Sequence, residues 1–143
     1  SLFISTEELS VHNDHLQAIY REIEKNEQMW ECYHTEDAEY VITAFGTVAR
    51  IAKTASDMLR AQGIKVGVFR PITAWPFPYD ALKEATAGCK AILDVEANEG
   101  QMKEDVLLAV AGSKKVDYFG HCGSQMPTTD EIVAKILEMK EGK

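Results

Sequence analysis

Leu16, Ile19, Tyr20 and Ile23 recur at i, i+3, i+4 and i+7, the spacing that lines one stripe of a helix, so residues 8–25 are expected to form an amphipathic helix. Ser5 or Thr6, followed by Glu7 and Glu8, suits its start, where carboxylates meet the positive end of the helix dipole; Asn26 suits its stop. Residues 29–34 read as a short strand. The polar Thr35, Glu36 and Asp37 would then turn it, as a hairpin, antiparallel onto the strand that follows.

From residue 39 the pattern becomes regular. Apolar runs at 40–45, 65–71, 91–97 and 116–119 have the length and β-branched content of buried strands. Between them, Val48, Ile51, Ala52, Ala55, Met58 and Leu59 mark a helix stopped at Gly63, residues 79–86 a short helix, and Met102, Val106, Leu107 and Val110 a helix closed by Gly112. Thr128 with Glu131 makes a capping box that opens a last helix running to about residue 139. Strands alternating with helices imply right-handed crossovers and a largely parallel sheet covered on both faces, a three-layer α/β/α sandwich. Four parallel strands are expected, with the 29–34 segment as a possible antiparallel edge strand. The chain thus divides into a helical arm with that possible strand, residues 1–38, and a domain, residues 39–143, with no internal repeat.

Charge sharpens this division. The 143 residues carry a formal net charge of −8, and residues 1–40 contain ten acids against only Arg21 and Lys25, so these first 40 residues hold the whole excess. An acidic balance argues against nucleic acid or an anionic membrane as partner, since both require a basic footprint. No apolar run approaches the ~20 residues of a membrane span, which leaves the cytosol as the expected location. The chain starts at Ser1 without a methionine, which suggests a fragment or a processed product. Cys32, Cys89 and Cys122 are too few and too scattered for a disulfide framework or a cluster of closely spaced thiolates. A mixed metal site would have to combine Cys32 and Cys122 with His34 and His121; buried thiols in a reducing cytosol are the plainer reading.

In open α/β sheets ligands gather at the carboxyl ends of the strands. Gly46 and Thr47 sit at the first such end, but no glycine-rich phosphate loop accompanies them, and a glycine there usually serves backbone geometry. Arg70 ends the second strand and Glu96 the third. Glu96 follows Ile92, Leu93 and Val95, so a half-buried carboxylate is expected, with Arg70 as its ion-pair partner. Gly100 and Gln101 fall at a helix start, a place suited to an anion or a partner carbonyl. Trp75, Pro76, Phe77 and Pro78 form an apolar knuckle that either caps the core or marks a protein interface. No nucleophile–base arrangement is visible, and His12, His15, His34 and His121 have no catalytic spacing, so no catalytic residue, bound cofactor or metal is assigned.

Several stretches in order resemble a known family: AFGTVARIAK at 44–53, GIKVG at 63–67, RPITAWPFP at 70–78, DVEANEGQM at 94–102 and EDV at 104–106. Together they are similar to the C-terminal part of the alpha subunit of 2-oxoacid:ferredoxin oxidoreductases. HNDHLQ at 12–17 and YREIE at 20–24 resemble the linker of the branched-chain, 2-oxoisovalerate, branch. Departures are Ala97, where methionine is usual, and His121–Cys122, where the family often has different residues before a Gly-Gly. The resemblance implies a transketolase C-terminal-like fold, a five-stranded mixed sheet with one antiparallel strand. It also implies a fragment: an N-terminal thiamine-pyrimidine domain of the same subunit, and beta, gamma and delta subunits, would be its partners, with ferredoxin reached through the complex. Thiamine diphosphate, Mg, iron–sulfur clusters and coenzyme A would belong to that complete enzyme, in which a 2-oxoacid is oxidatively decarboxylated to an acyl-CoA. The chemistry is then the cofactor's, and this chain's role would be assembly. The C-terminal domain of another thiamine enzyme, a dehydrogenase E1 beta chain or a transketolase-like synthase, is an alternative, as is a stand-alone flavodoxin-like binding module.

Overall fold

A computed structural model of the chain describes residues 2–142. Helix α1 (Thr6–Asn26) is followed by strands β1 (Trp30–Tyr33) and β2 (Tyr40–Thr43), then by α2 (Gly46–Ala61), β3 (Val66–Pro71), α3 (Tyr79–Ala85), β4 (Ala91–Glu96), α4 (Gln101–Val110), β5 (Lys115–Gly120) and α5 (Thr129–Glu141). One five-stranded sheet has the order β1-β3-β2-β4-β5, parallel except for β1, which runs antiparallel beside β3. Side-chain alternation splits the core in two. Tyr40, Ile42, Val66, Val68, Leu93 and Val95 face α2 and α5, while Val41, Phe69 and Ile92 face α3 and α4. The sandwich expected from the pattern is therefore the fold, and Thr128 with Glu131 forms the reciprocal capping box at the start of α5.

The expected hairpin does not form. β1 pairs with β3, through Trp30↔Pro71 to Tyr33↔Val68, because the crossover through α2 seats β3 on one side of β2 while β4 takes the other. β1 takes the outer edge of β3. The turn after β1 crosses β3 over Gly67, where an added Cβ would lie 2.6 Å from the His34 carbonyl oxygen and 2.9 Å from Thr35 Cα. A side chain there would collide with backbone, so this close crossing requires glycine.

An ionic seam fastens the turn and β1 to α2. Arg60 donates to the Val66 and His34 carbonyls and to Asp37, each at 2.7 Å, and its guanidinium holds the Asp37 carboxyl below its ordinary range. Lys53 and Arg70 both reach Glu31, at 2.6 and 3.3 Å, and Tyr33 donates to Asp57 at 2.9 Å. By contrast, α1 buries none of its side chains. The thiols also divide: Cys89 is buried as expected, but Cys32 and Cys122 are exposed because β1 is an edge strand and Cys122 lies in the loop after β5. Among the described residues, no group of three or more His, Cys, Asp or Glu side chains could hold a metal ion. No helix among them is long and apolar enough to cross a membrane.

Candidate functional site

The chain leaves β2 toward β3 through α2 on one face, then returns past β2 to β4 with α3 on the other. The connections therefore diverge between the carboxyl ends of β2 and β4, the place where such sheets open a crevice. A cavity of about 230 Å³ lies there. Its apolar walls are Phe45, Pro71, Ile72, Phe77 and Met102; Thr73, Glu96, Asn98, Gln101 and Asp105 supply its polar ones.

Glu96 is fully buried at the end of β4, and it has partners. Its carboxylate accepts from the backbone N–H of Met102 at 3.0 Å and of Lys103 at 3.1 Å, and from the Asn98 side chain at 2.9 Å. The Asn98 side-chain oxygen in turn accepts from the N–H of Gly100 at 2.7 Å and of Gln101 at 3.1 Å. The leading amides of α4, the groups a helix cannot satisfy by itself, are thus taken up internally. Gly100 adopts φ 91, and a Cβ on it would sit 3.2 Å from the Tyr118 ring, whose hydroxyl donates to the Asn98 carbonyl.

The expected ion pair between Glu96 and Arg70 is absent. Arg70 follows Val68 in the alternation of β3 and lies on the α2 side, where its Nη1 reaches Glu31 and its Nε meets no partner. Glu96 follows Ile92 on the α4 side of the sheet.

Asp94 is a residue that the sequence reading passed over. It is fully buried two positions before Glu96, accepts from the Thr43 hydroxyl at 2.7 Å, and leaves Oδ2 without a hydrogen-bond partner of regular geometry. Burial, reinforced by the Glu96 carboxylate and opposed by Thr43, pushes its pKa up to about 8, so it holds its proton at neutral pH. The available signal was an acid pair at i, i+2 in an apolar strand, which puts both on one face. Asp105 was also missed; it accepts from the Tyr79 hydroxyl at 2.5 Å, which pushes the tyrosine up to about 12.

Of the expected site residues, the cavity brings together Phe77, Glu96 and Gln101, with Gly100 just behind as the N-cap of α4. Trp75 lies outside the cavity, next in the chain to its wall residue Ala74, and is 55% exposed, with the Tyr20 ring edge-on at 5.7 Å. Gly46 and Thr47 begin α2 outside the cavity, with Gly46 at φ 56. No wall residue is basic, so a diphosphate finds no counter-charge here, and Cys32, Cys89 and Cys122 lie too far apart along the fold to share an iron–sulfur cluster. The residues present do not fit those groups. The hydrogen bonds at this site hold the start of α4 and the loop before it.

Residues 38–132 match the pyruvate:ferredoxin oxidoreductase core domain II. The chain is 40% identical over 139 residues to the ketoisovalerate oxidoreductase subunit VorB of Methanothermobacter marburgensis, covering 97% of this chain and 39% of that one. It spans about two fifths of the length of such curated relatives. The 2-oxoglutarate:ferredoxin oxidoreductase from Magnetococcus marinus superposes with a TM-score of 0.82 at 22% identity, over 96% of this chain and 24% of that one. A split-gene transketolase superposes with a TM-score of 0.63 at 19% identity, over 76% of this chain and 41% of that one, which bears out the transketolase-like fold. The matched segment takes in β2 to β5 and the helices between them, together with the switch-point cavity, and the chain belongs to the pyruvate:ferredoxin oxidoreductase core domain II family.

Proposed function

We propose that this chain is the C-terminal, non-catalytic assembly domain of the alpha subunit of a cytoplasmic 2-oxoacid:ferredoxin oxidoreductase acting on 2-oxoisovalerate. The carrying observation is the 40% identity, across 97% of the chain, with a ketoisovalerate oxidoreductase subunit. In this reading the complete enzyme converts a 2-oxoacid and coenzyme A to an acyl-CoA and carbon dioxide, and the electrons released reduce ferredoxin. Thiamine diphosphate with Mg, the iron–sulfur clusters and the coenzyme A site lie outside this domain. Support comes from the crevice itself: the carboxylate that a catalytic role would need, Glu96, is committed to the start of α4.

The neighbours in this reading are the N-terminal thiamine-pyrimidine domain of the same subunit and the beta, gamma and delta subunits. Residues 1–38 act as a connecting arm and 39–143 as the domain proper. Gly46, Thr47, Arg70, Trp75, Phe77, Glu96, Gly100 and Gln101 serve as structural or interface positions. The test is to co-express the complete subunit with its partners and assay coenzyme A-dependent reduction of a viologen dye. Reduction with 2-oxoisovalerate is the expected result; an assembled complex inert toward every 2-oxoacid overturns the reading.

A further inference from the structure

Helix α1 is 21 residues long and buries no side chain, yet it carries a continuous apolar stripe through Leu16, Ile19, Tyr20 and Ile23. It meets the body of the domain where Tyr20 packs edge-on against Trp75. Trp75 directly follows Ala74, which lines the switch-point cavity together with Ile72 and Phe45, 50% and 43% exposed, and the buried Phe77. The intervening loop is held in place. Thr73 Oγ1 donates to the Pro76 carbonyl at 2.9 Å and accepts from the Met29 N–H at 3.1 Å, and the Ile72 N–H donates to the Met29 carbonyl at 2.9 Å. A fixed apolar surface beside a hollow of about 230 Å³, room for one large side chain, is built to receive a knob.

Charge selects the occupant. Residues 6–27 carry six carboxylates (Glu7, Glu8, Asp14, Glu22, Glu24 and Glu27) against Arg21 and Lys25. A second copy related by a two-fold axis would set acids against acids. A surface of lysines and arginines around an apolar ridge meets both the stripe and its border.

We propose that α1 and the loop from Ile72 to Trp75 form one docking surface for a neighbouring protein domain, which seats an apolar side chain in the cavity and sets lysines and arginines against Glu22, Glu24 and Glu27. This deepens the functional reading above and rests on it, since the neighbour is another domain of the same enzyme complex.

The test uses the assembled complex of full-length subunits and hydroxyl-radical footprinting. Tyr20, Trp75 and Ile72 are expected to react at least about tenfold more slowly than their exposure in the domain dictates, as buried interface side chains do. Met58 on α2 and Leu108 on α4, 40% and 67% exposed and off this surface, serve as references. Full reactivity at Tyr20 and Trp75 overturns the proposal. So does crosslinking of α1 to α1 between copies of this chain, which makes a second copy the occupant. Reversing Glu22, Glu24 and Glu27 to lysine should weaken subunit association by about tenfold and invert its salt dependence; association unchanged by the reversal refutes the basic border. The two readings fail separately. A complex active on 2-oxoisovalerate with a freely reactive Trp75 defeats the docking surface alone, and an inert complex with a protected Trp75 defeats the reaction alone.

Discussion

Replacing Asp94 with asparagine is expected to remove the loss of stability that this carboxyl imposes as pH rises from 3.8 to about 8. Asparagine keeps the oxygen that accepts from Thr43 and places an N–H₂ where the protonated acid now holds its hydrogen, beside Glu96. The sign follows from the direction of the shift. Asp94 titrates at about 8 in the folded chain and at an ordinary 3.8 when unfolded, so between these values the native state binds the extra proton. Its contribution is fully present below the lower value, declines as pH rises through the window, and levels off above the upper one. About four units at about 1.4 kcal/mol each set a ceiling of roughly 6 kcal/mol, and relaxation of β4 and α4 around a charged carboxylate brings the expected span to about 2–4 kcal/mol. Urea melts of the chain and the Asp94→Asn variant from pH 4 to 9 should coincide near the acid end, diverge steadily as pH rises from 3.8 to about 8, and run parallel above that, with the variant the more stable. Comparing the two proteins cancels the exposed carboxyls with lowered pKa, such as Glu31, Asp37 and Glu131, which act in the opposite direction and are common to both. A difference in unfolding free energy that stays constant across the range would refute the assignment of the proton to Asp94.

Three further expectations concern the same framework. Glu96→Gln keeps one acceptor oxygen and turns an N–H₂ toward either the Met102 or the Lys103 amide, which should cost about 1–3 kcal/mol in chemical denaturation, while NMR titration should find the Asp94 carboxyl shifted down toward its ordinary value. Gly67→Ala forces the His34–Thr35 backbone away from β3 and should cost about 1–3 kcal/mol, with amide exchange accelerated in β1 before the rest of the sheet; unchanged protection there would rule out the close crossing. Thr128→Ala removes half of the α5 capping box, with an expected loss of about 1 kcal/mol. Glu131, held down to about 2 chiefly by Thr128, should then titrate closer to its ordinary 4.5, so the support it gives, present above that value and lost as pH falls, fades earlier.

The four parallel strands were legible because burial on both faces leaves uninterrupted apolar runs, and the helices between them because caps and glycines punctuate them. The partner of β1 was not. A polar turn between two short strands reads locally as a hairpin, whereas the pairing is decided by which edge the α2 crossover leaves vacant. One residue carried the missing information. Gly67 interrupts a strand otherwise made of valine, phenylalanine, arginine and a terminal proline, and such a glycine marks a point where another stretch of backbone passes close by.

The crevice shows the same limit in its charges. Pairing Glu96 with Arg70 rests on opposite sign and on both ending neighbouring runs, but strand alternation puts them on opposite sides of the sheet. Sequence gives the parity of each strand internally and leaves the relative phase of two strands open, so the arithmetic that places Asp94 with Glu96 cannot exclude Arg70. The partner that won is backbone. A buried carboxylate at the end of β4 lies one turn from the free amides of α4, and those amides satisfy it without a second charge to desolvate. That choice has a functional consequence. In an open α/β sheet a helix start at the switch point is the natural seat for an anionic ligand; with Glu96 and Asn98 already on those amides, the crevice keeps its hollow and loses its anion site. What remains to fill it is apolar, which suits a neighbour's side chain better than a phosphate.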